Sequence, residues 1–331
     1  MQKAEQATET KRAASSLTLD AIQAAHQRIR PHVHRTPVLT SSRLNKASGA
    51  SLFFKCENLQ KIGAFKARGA ANAVFSLDEA TARRGVATHS SGNHAQALAV
   101  AAKSRGIPAY IVMPSNSARV KIAAVEGYGA RIVFCEPTLA ARETTCDEVM
   151  AKTGATLIHS FENFDVMAGQ GTAAVELLED VPDLDVIMCP IGGGGLLAGT
   201  AVAAKALRPN IRVIAAEPVN ADDAAKSFQA GRLIQNTNTN TIADGLRTNV
   251  GAPNFAIIQE YVDDIVTVSE ESIVTAMRTI WEAMKIIVEP SAAVPYAAIL
   301  ENKIEGAEKR VGIILSGGNV DLDALPWMKV R

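Results

Sequence analysis

The sequence predicts an α/β fold of two domains or lobes, on three observations. Short apolar runs rich in β-branched residues recur along the chain, as strands buried on both faces of a parallel sheet require. Alanine-rich amphipathic segments separate these runs, the alternation expected when helices cover a sheet. At 331 residues, the chain is too long for one ordinary core, so two cores are expected.

The opening, MQKAEQATETKRAASSLTLD, has no apolar centre, so it is not a secretory signal and reads as a polar tail. The strand runs follow in order: VATHS (86–90), AYIVMP (109–114), RIVFCEP (131–137), DVIMCP (185–190), RVIAAEP (212–218), DIVTVS (264–269) and RVGIILSGG (310–318). Covering helices are read at NHAQALAVAAKSRG (93–106) and GTAAVELLEDV (171–181). Each ends near glycine or proline, where helices stop. AGRLIQNTNTNTIADG (230–245) is polar and rich in Asn and Thr, and reads as a long loop at the sheet's ligand edge. There is no internal repeat and no low-complexity segment.

Composition narrows the function classes. Hydrophobic residues make up 47% and charged residues 21%, the profile of a soluble globular protein. Lys+Arg and Asp+Glu balance at 34 each, which gives no reason to expect nucleic acid or a membrane as partner. Aromatics at 5% weaken any base-stacking role. No run approaches membrane-spanning length. Cys56, Cys135, Cys146 and Cys189 are far apart and form no CxxC pair. They read as buried or free thiols of a cytoplasmic protein, not as a disulfide or zinc framework.

The chemistry starts at KIGAFKARGA (61–70), where Lys66 stands among small and apolar residues. Lysine is among the residues least willing to be buried, so Lys66 is either a solvated helix lysine or an amine held out of water for chemistry. In CPIGGGGLLAGTAVAAKAL a strand ends at Pro190, Gly192, Gly193, Gly194 and Gly195 follow, and a helix opens at Leu196. Backbone N–H groups and the positive end of a helix suit a phosphate there. The spacing is neither that of a P-loop nor that of a dinucleotide fingerprint. A merely tight turn is the lesser reading, because each glycine costs folding entropy.

THSSGNHAQ (88–96) sets Ser90, Ser91, Asn93 and His94 around another helix start, which suits a carboxylate or a ring oxygen. Taken alone, Ser91 or Asn93 reads as an N-cap. ILSGGNVD (314–321) places Ser316 either against a ring nitrogen or as one more cap. These three turns converge on the edge where open α/β sheets bind ligands. An amine, a phosphate cradle and a serine able to meet a ring nitrogen together suggest pyridoxal phosphate. In AAEPVNADDA (215–224), Glu217, Asp223 and the carbonyl of Ala221 suit a hard cation, although acidic loop residues are most often just solvated. Arg142, in CEPTLAARETT (135–145), reads by itself as a surface helix arginine.

From RTPVLTSSRLN (35–45) through FFKCENLQKIGAFKARGA (53–70), SSGNHAQALA (90–99), AGQGTAAVELLE (168–179), GGGGLLAG (192–199), TIADGL (241–246) and VEPSAAV (288–294) to SGGNVD (316–321), the chain resembles fold-type II pyridoxal-phosphate enzymes. Within them it looks closest to the branch holding 3-hydroxyaspartate dehydratases and serine racemases. The resemblance implies a tryptophan synthase β-like fold of two open, twisted, mostly parallel sheets flanked by helices. It implies a polar tail at 1–17, a large cofactor-binding domain at 18–79 and 161–331, and a small mobile domain at 80–160. It makes Lys66 the Schiff-base lysine, with Phe65 beside the ring and Asn93 on the ring's 3′-oxygen. Gly192 to Gly195 and Leu196 hold the phosphate, and Ser316 faces the pyridine nitrogen. Ser90, Ser91, Asn93 and His94 cradle the substrate carboxylate, and Ser91 is also a catalytic group facing the cofactor opposite Lys66.

Glu217, Ala221 and Asp223 match a divalent-cation site, for magnesium or calcium and also manganese, remote from the chemistry. Arg142 aligns with an arginine able to meet an acidic ligand, which favours a second substrate carboxylate. His159 either assists from its loop or is structural. The implied activity is an ammonia-lyase on a β-hydroxy amino acid, first 3-hydroxyaspartate, giving oxaloacetate through iminosuccinate. Serine/threonine dehydratase and serine racemase are the alternatives, and a homodimer is implied. β-Replacement synthases share the fold, but their threonine-rich phosphate loop is not seen. Ala64 departs from the serine that many dehydratases carry two residues before the lysine, which weighs against a plain threonine dehydratase. No amino-acid-sensing domain follows SGGNVD, so feedback control of that type is not expected.

Overall fold

The computed structural model describes residues 17–304 and 309–328. The expected polar tail, apart from Leu17, lies outside the described residues. In chain order the strands are β1 (Val38–Leu39), β2 (Ser51–Cys56), β3 (Val86–Thr88), β4 (Ala109–Pro114), β5 (Arg131–Cys135), β6 (Thr156–Leu157), β7 (Val186–Pro190), β8 (Arg212–Pro218), β9 (Asp264–Val268) and β10 (Arg310–Leu315). The helices are α1 (Leu19–Ile29), α2 (Ser42–Ser48), α3 (Lys66–Ser76), α4 (Glu79–Arg84), α5 (Asn93–Arg105), α6 (Arg119–Gly127), α7 (Leu139–Thr153), α8 (Phe164–Asp180), α9 (Gly195–Leu207), α10 (Asp223–Ala230), α11 (Ala252–Tyr261), α12 (Glu270–Met284) and α13 (Pro290–Leu300).

They form two sheets, as expected. The larger runs β1-β2-β10-β7-β8-β9, with only β1 antiparallel. The smaller runs β5-β4-β3-β6 and is parallel throughout. Period-two alternation explains why the long apolar runs are strands. On β7 and β8, Ile187, Cys189, Val213 and Ala215 face a core that includes α1, α8, α9 and α11. Their neighbours Val186, Met188, Ile214 and Ala216 face a second core, with α12 and α13. Further cores lie on the two faces of the small sheet.

Three strands do not stand out in the sequence. β1 and β6 are two residues each, and β2 carries Lys55 inside its apolar run. Lys55 is buried because its ammonium meets Glu176 at 2.6 Å. β5 is the converse case: it is a sheet edge, so it is not buried on both faces, and Phe134 is half exposed. GTAAVELLEDV proves to be the later part of α8, which starts at Phe164 with the Asn163 side chain accepting from the Val166 N–H at 2.9 Å. α8 and α9 cross closely. A Cβ at Gly199 would lie 2.3 Å from the Met167 carbonyl oxygen and 2.6 Å from the Gly171 nitrogen. Among the described residues no helix is long and apolar enough to cross a membrane.

Candidate active site

The segment carrying Lys66 is laid against the turn after β10. Ala64 bridges Gly317, the Phe65 N–H donates to the Ser316 carbonyl at 3.0 Å, and the Gly318 N–H donates to that of Gly63 at 2.9 Å. Lys66 then opens α3. Its Nζ donates to the Ser160 carbonyl at 2.7 Å and lies 5.1 Å from the Phe65 ring centroid. The residue as a whole is half-buried, and burial of the amine pushes its ammonium down to about 8. The amine is therefore held largely out of water, and a useful share of it is neutral near neutral pH.

The glycine turn is built as a cradle. Gly194 has φ of 88°, and a Cβ on Gly193 would lie 2.3 Å from the Phe161 ring, so neither position accepts a side chain. None of the N–H groups from Gly192 to Leu196 donates to a protein acceptor among the described residues; the first helical bond of α9 runs from Ala198 to Gly194. Free donors at a helix N-terminus fit the phosphate of the expected cofactor. The latter part of the Asn/Thr-rich loop borders this cradle: a Cβ on Gly192 would meet Leu246 and Gly245 at 3.0 and 3.2 Å.

In the turn after β3, the helix cap is Gly92, with no side-chain capping bond, so neither Ser91 nor Asn93 serves as an N-cap. Ser90 and Ser91 stay half buried beside it. Asn93 turns its amide toward the turn after β10. Its Nδ2 donates to both carboxylate oxygens of Glu289 at 3.2 Å, and its Oδ1 accepts from Asn319 at 2.9 Å. His94 is buried, and its Nε2 meets the Ile158 carbonyl at 2.9 Å. A carbonyl partner fixes the proton on Nε2, so Nδ1 is a bare acceptor, buried and without a protein partner. Burial, and then the charge of Lys66, hold the ring neutral down to about 3. The ring therefore has no donor left for a carboxylate, and His94 has only its backbone N–H to offer. Ser316 is buried at the end of β10.

Arg142 projects from α7. Its Nε is buried without a protein partner, and its charge helps depress His89, after burial. The His89 and His159 rings lie 5.5 Å apart, and Phe161 stands edge-on to His159 at 4.6 Å. His159 is lowered to about 4 by burial, then by His89 and Lys66. Its Nδ1 accepts the Glu162 N–H at 2.9 Å, so it also has a structural role.

Glu217 and Asp223 are both buried. The Glu217 Oε1 accepts from the Ala225 N–H at 2.6 Å, while Oε2 has no protein partner. Asp223 accepts from Asn236 at 2.5 Å and from the Val250 N–H at 2.7 Å. Burial raises Asp223 to about 6 and Glu217 well above the usual carboxylate range. The described residues contain no cluster of three or more His, Cys, Asp or Glu able to hold a metal.

Some residues packed around the candidate site were not singled out in the sequence, although Glu289 lies within VEPSAAV (288–294). Glu289 is buried against Asn93, and its position before a helix-opening proline reads as an ordinary cap. Asn254 is buried at the start of α11 and donates to the carbonyls of Gly193 and Phe161 at 2.8 and 3.1 Å. Beneath Lys66, Arg68 joins Glu57 and Glu176 at 2.7 Å each, and Lys55 completes a buried network of two cations and two anions.

Comparison with known proteins identifies the family. A family model described as pyridoxal-phosphate dependent enzyme matches residues 29–317. Serine racemase of Dictyostelium discoideum is 51% identical over 315 residues, covering 94% of this chain and 97% of that protein. β-Hydroxyaspartate dehydratase of Paracoccus denitrificans (strain Pd 1222) is 51% identical over 310 residues, covering 94% and 98%. The structure of maize serine racemase superimposes with a TM-score of 0.91 at 48% identity, covering 93% of this chain and 95% of that one. A family model spanning most of the chain, relatives at about half identity and a superposition over nearly the whole fold together show that the chain belongs to the fold-type II pyridoxal-phosphate dependent enzymes.

Proposed function

We propose that the protein is an ammonia-lyase for β-hydroxy amino acids, with 3-hydroxyaspartate as its first substrate and oxaloacetate and ammonia as products. The observation that carries the substrate is Arg142, whose buried Nε lacks a protein partner and whose charge reaches His89, the ring 5.5 Å from His159. A guanidinium with a free N–H suits a second carboxylate. The likeness to a β-hydroxyaspartate dehydratase supports the same reading. Serine racemisation is the second reading, supported by Ser91 beside the site and by the relatives named serine racemase.

When bound, the cofactor supplies a sink for negative charge at the substrate Cα. Lys66, with its ammonium lowered to about 8, offers a neutral amine to take the Cα proton. The backbone N–H groups around Ser91 to His94 hold the α-carboxylate at the start of α5. The Ser316 hydroxyl is a neutral partner for the ring nitrogen and does not keep it protonated as a carboxylate would. A weaker sink favours prompt loss of the β-hydroxyl over a long-lived carbanion. A proton returned by Ser91 instead yields the opposite enantiomer.

A panel of L- and D-serine, L-threonine and the four 3-hydroxyaspartate stereoisomers, scored for keto acid and for inversion, tests the assignment. Arg142→Ala is expected to lower kcat/KM for 3-hydroxyaspartate by roughly 10- to 100-fold, the effect of one charge-assisted hydrogen bond, and to spare serine. Equal loss on both substrates refutes the distal-carboxylate role. Borohydride is expected to trap the cofactor on Lys66.

Glu217, Asp223 and the Ala221 carbonyl would hold magnesium, calcium or manganese, and the unpartnered Oε2 of Glu217 fits such a ligand. Adding these cations after chelation is expected to raise the melting temperature of the wild type but not of Glu217→Gln. We also read the protein as a cytoplasmic homodimer. Half-exposed Leu59 and Ile287 support this, lying on segments joined by an Asn58 to Ile287 bond of 2.9 Å.

A further inference from the structure

We propose that Asn254 is the positioning residue of the phosphate cradle: its amide sets the glycine turn against the segment that holds Lys66, and so sets how tightly the cofactor phosphate is bound. This rests on the reading that Lys66 carries pyridoxal phosphate.

The orientation of the amide is fixed by its partners. Nδ2 donates to the Gly193 carbonyl at 2.8 Å and to the Phe161 carbonyl at 3.1 Å. Both partners only accept, so the NH₂ group must face them and Oδ1 must face away. Oδ1 is buried there without a protein partner among the described residues. An unpaired buried acceptor lowers stability, so this asparagine is not explained by packing.

The first bond acts through the peptide plane. A trans peptide points its C=O and the following N–H in opposite directions. Pinning the Gly193 oxygen toward Asn254 therefore turns the Gly194 N–H the other way, where it is free to meet a phosphate. The Gly251 N–H donates to the same oxygen at 3.2 Å and reinforces the orientation. A Cβ on Gly194 would lie 3.1 Å from the Asn254 Cβ, so the loop rests directly on this residue. The second bond reaches the other half of the site. Phe161 follows Ser160, whose carbonyl accepts from Lys66 Nζ at 2.7 Å. One side chain thus ties the phosphate donors to the resting place of the reactive amine.

The test compares pyridoxal phosphate with pyridoxal, which lacks the phosphate. Dissociation constants of both are measured for the apoprotein of wild type, Asn254→Leu and Asn254→Asp, with apoprotein melting temperatures alongside. Asn254→Leu is expected to weaken pyridoxal phosphate about tenfold or more and to leave pyridoxal within about twofold. Asn254→Asp, which sets an acceptor against two carbonyls, is expected to do worse. If either variant does not fold, Asn254→Ser, which keeps one hydroxyl donor, is measured the same way with a smaller loss expected. Equal weakening of both ligands, or of neither, overturns the proposal, whatever happens to the melting temperature. A wild type that does not prefer the phosphorylated ligand overturns the cofactor reading as well. A wild type that prefers it, with variants that keep the same preference, overturns this inference alone.

Discussion

Glu289 shows how one residue can tie two turns together and still burden the fold. It lies beneath the turn after β10 and accepts from Asn93 and from the Asn319 N–H at 3.1 Å. Burial raises its carboxyl from 4.5 to about 7. A carboxyl with a raised folded pKa binds more protons folded than unfolded between those two values. Its contribution to stability is therefore present at low pH and is lost as pH rises from 4.5 through about 7. Glu289→Gln is expected to flatten that part of the wild-type profile, read as the difference between the two proteins in denaturant unfolding at a series of pH values. Equal slopes would mean that Glu289 does not titrate in this window. Lys66 was legible because a lysine among small apolar residues asks for a reason. Glu289 was not, because its partners come from residues 93 and 319, and no local pattern announces a contact between segments so far apart.

At the scale of elements, the central strands β4, β7, β8 and β10 were readable because both of their faces are buried and nearly all of their positions are then apolar. β2 was not, because Lys55 interrupts the run, and its burial depends on Glu176 from α8. The same network joins α3 through Arg68, two residues beyond Lys66. Removing one charge leaves the others buried and unbalanced, so Glu176→Gln is expected to destabilise by about 3–5 kcal/mol. Chemical denaturation of the variant checks this; a change below about 1 kcal/mol would show that the network is less tightly coupled than its geometry indicates. The close crossing of α8 and α9 was also hidden. One helix reads as beginning at Gly171 and the other as opening at Leu196, whereas Gly171 and Gly199 are the points where two backbones touch.

For the whole molecule, α/β alternation and length pointed to two lobes and the resemblance to two sheets, whereas the three glycine turns expected at one edge are divided, those after β7 and β10 on the large sheet and that after β3 on the small one. The order of strands was not readable, because the spacing of apolar runs says nothing about which run lies beside which. The small sheet is built from one continuous stretch, β3 to β6, and its pairings are short in sequence. The large sheet is not: β10, at residues 310–315, lies between β2, at 51–56, and β7, at 186–190. Two ion pairs among the described residues cross the expected domain bounds, Lys121 to Asp244 at 3.2 Å and Arg105 to Glu79 at 2.8 Å; each has an exposed member and adds little to stability.

The central place of β10 has a consequence for the timing of synthesis. The turn after it supplies the partners of Gly63, Ala64 and Phe65, and so fixes the approach to Lys66. On a ribosome, which emits the chain from its N-terminus, all four strands of the small sheet emerge by residue 157, while the central strand of the large sheet emerges only from residue 310. Ribosome-bound chains halted before residue 310 are expected to leave Lys66 untrapped by borohydride with cofactor present, and chains with the turn at 316–319 fully emerged are expected to trap it. Until that strand arrives, Lys66 belongs to a half-built sheet, and on the reading proposed above capture of the cofactor waits for residues about 250 positions downstream of the lysine.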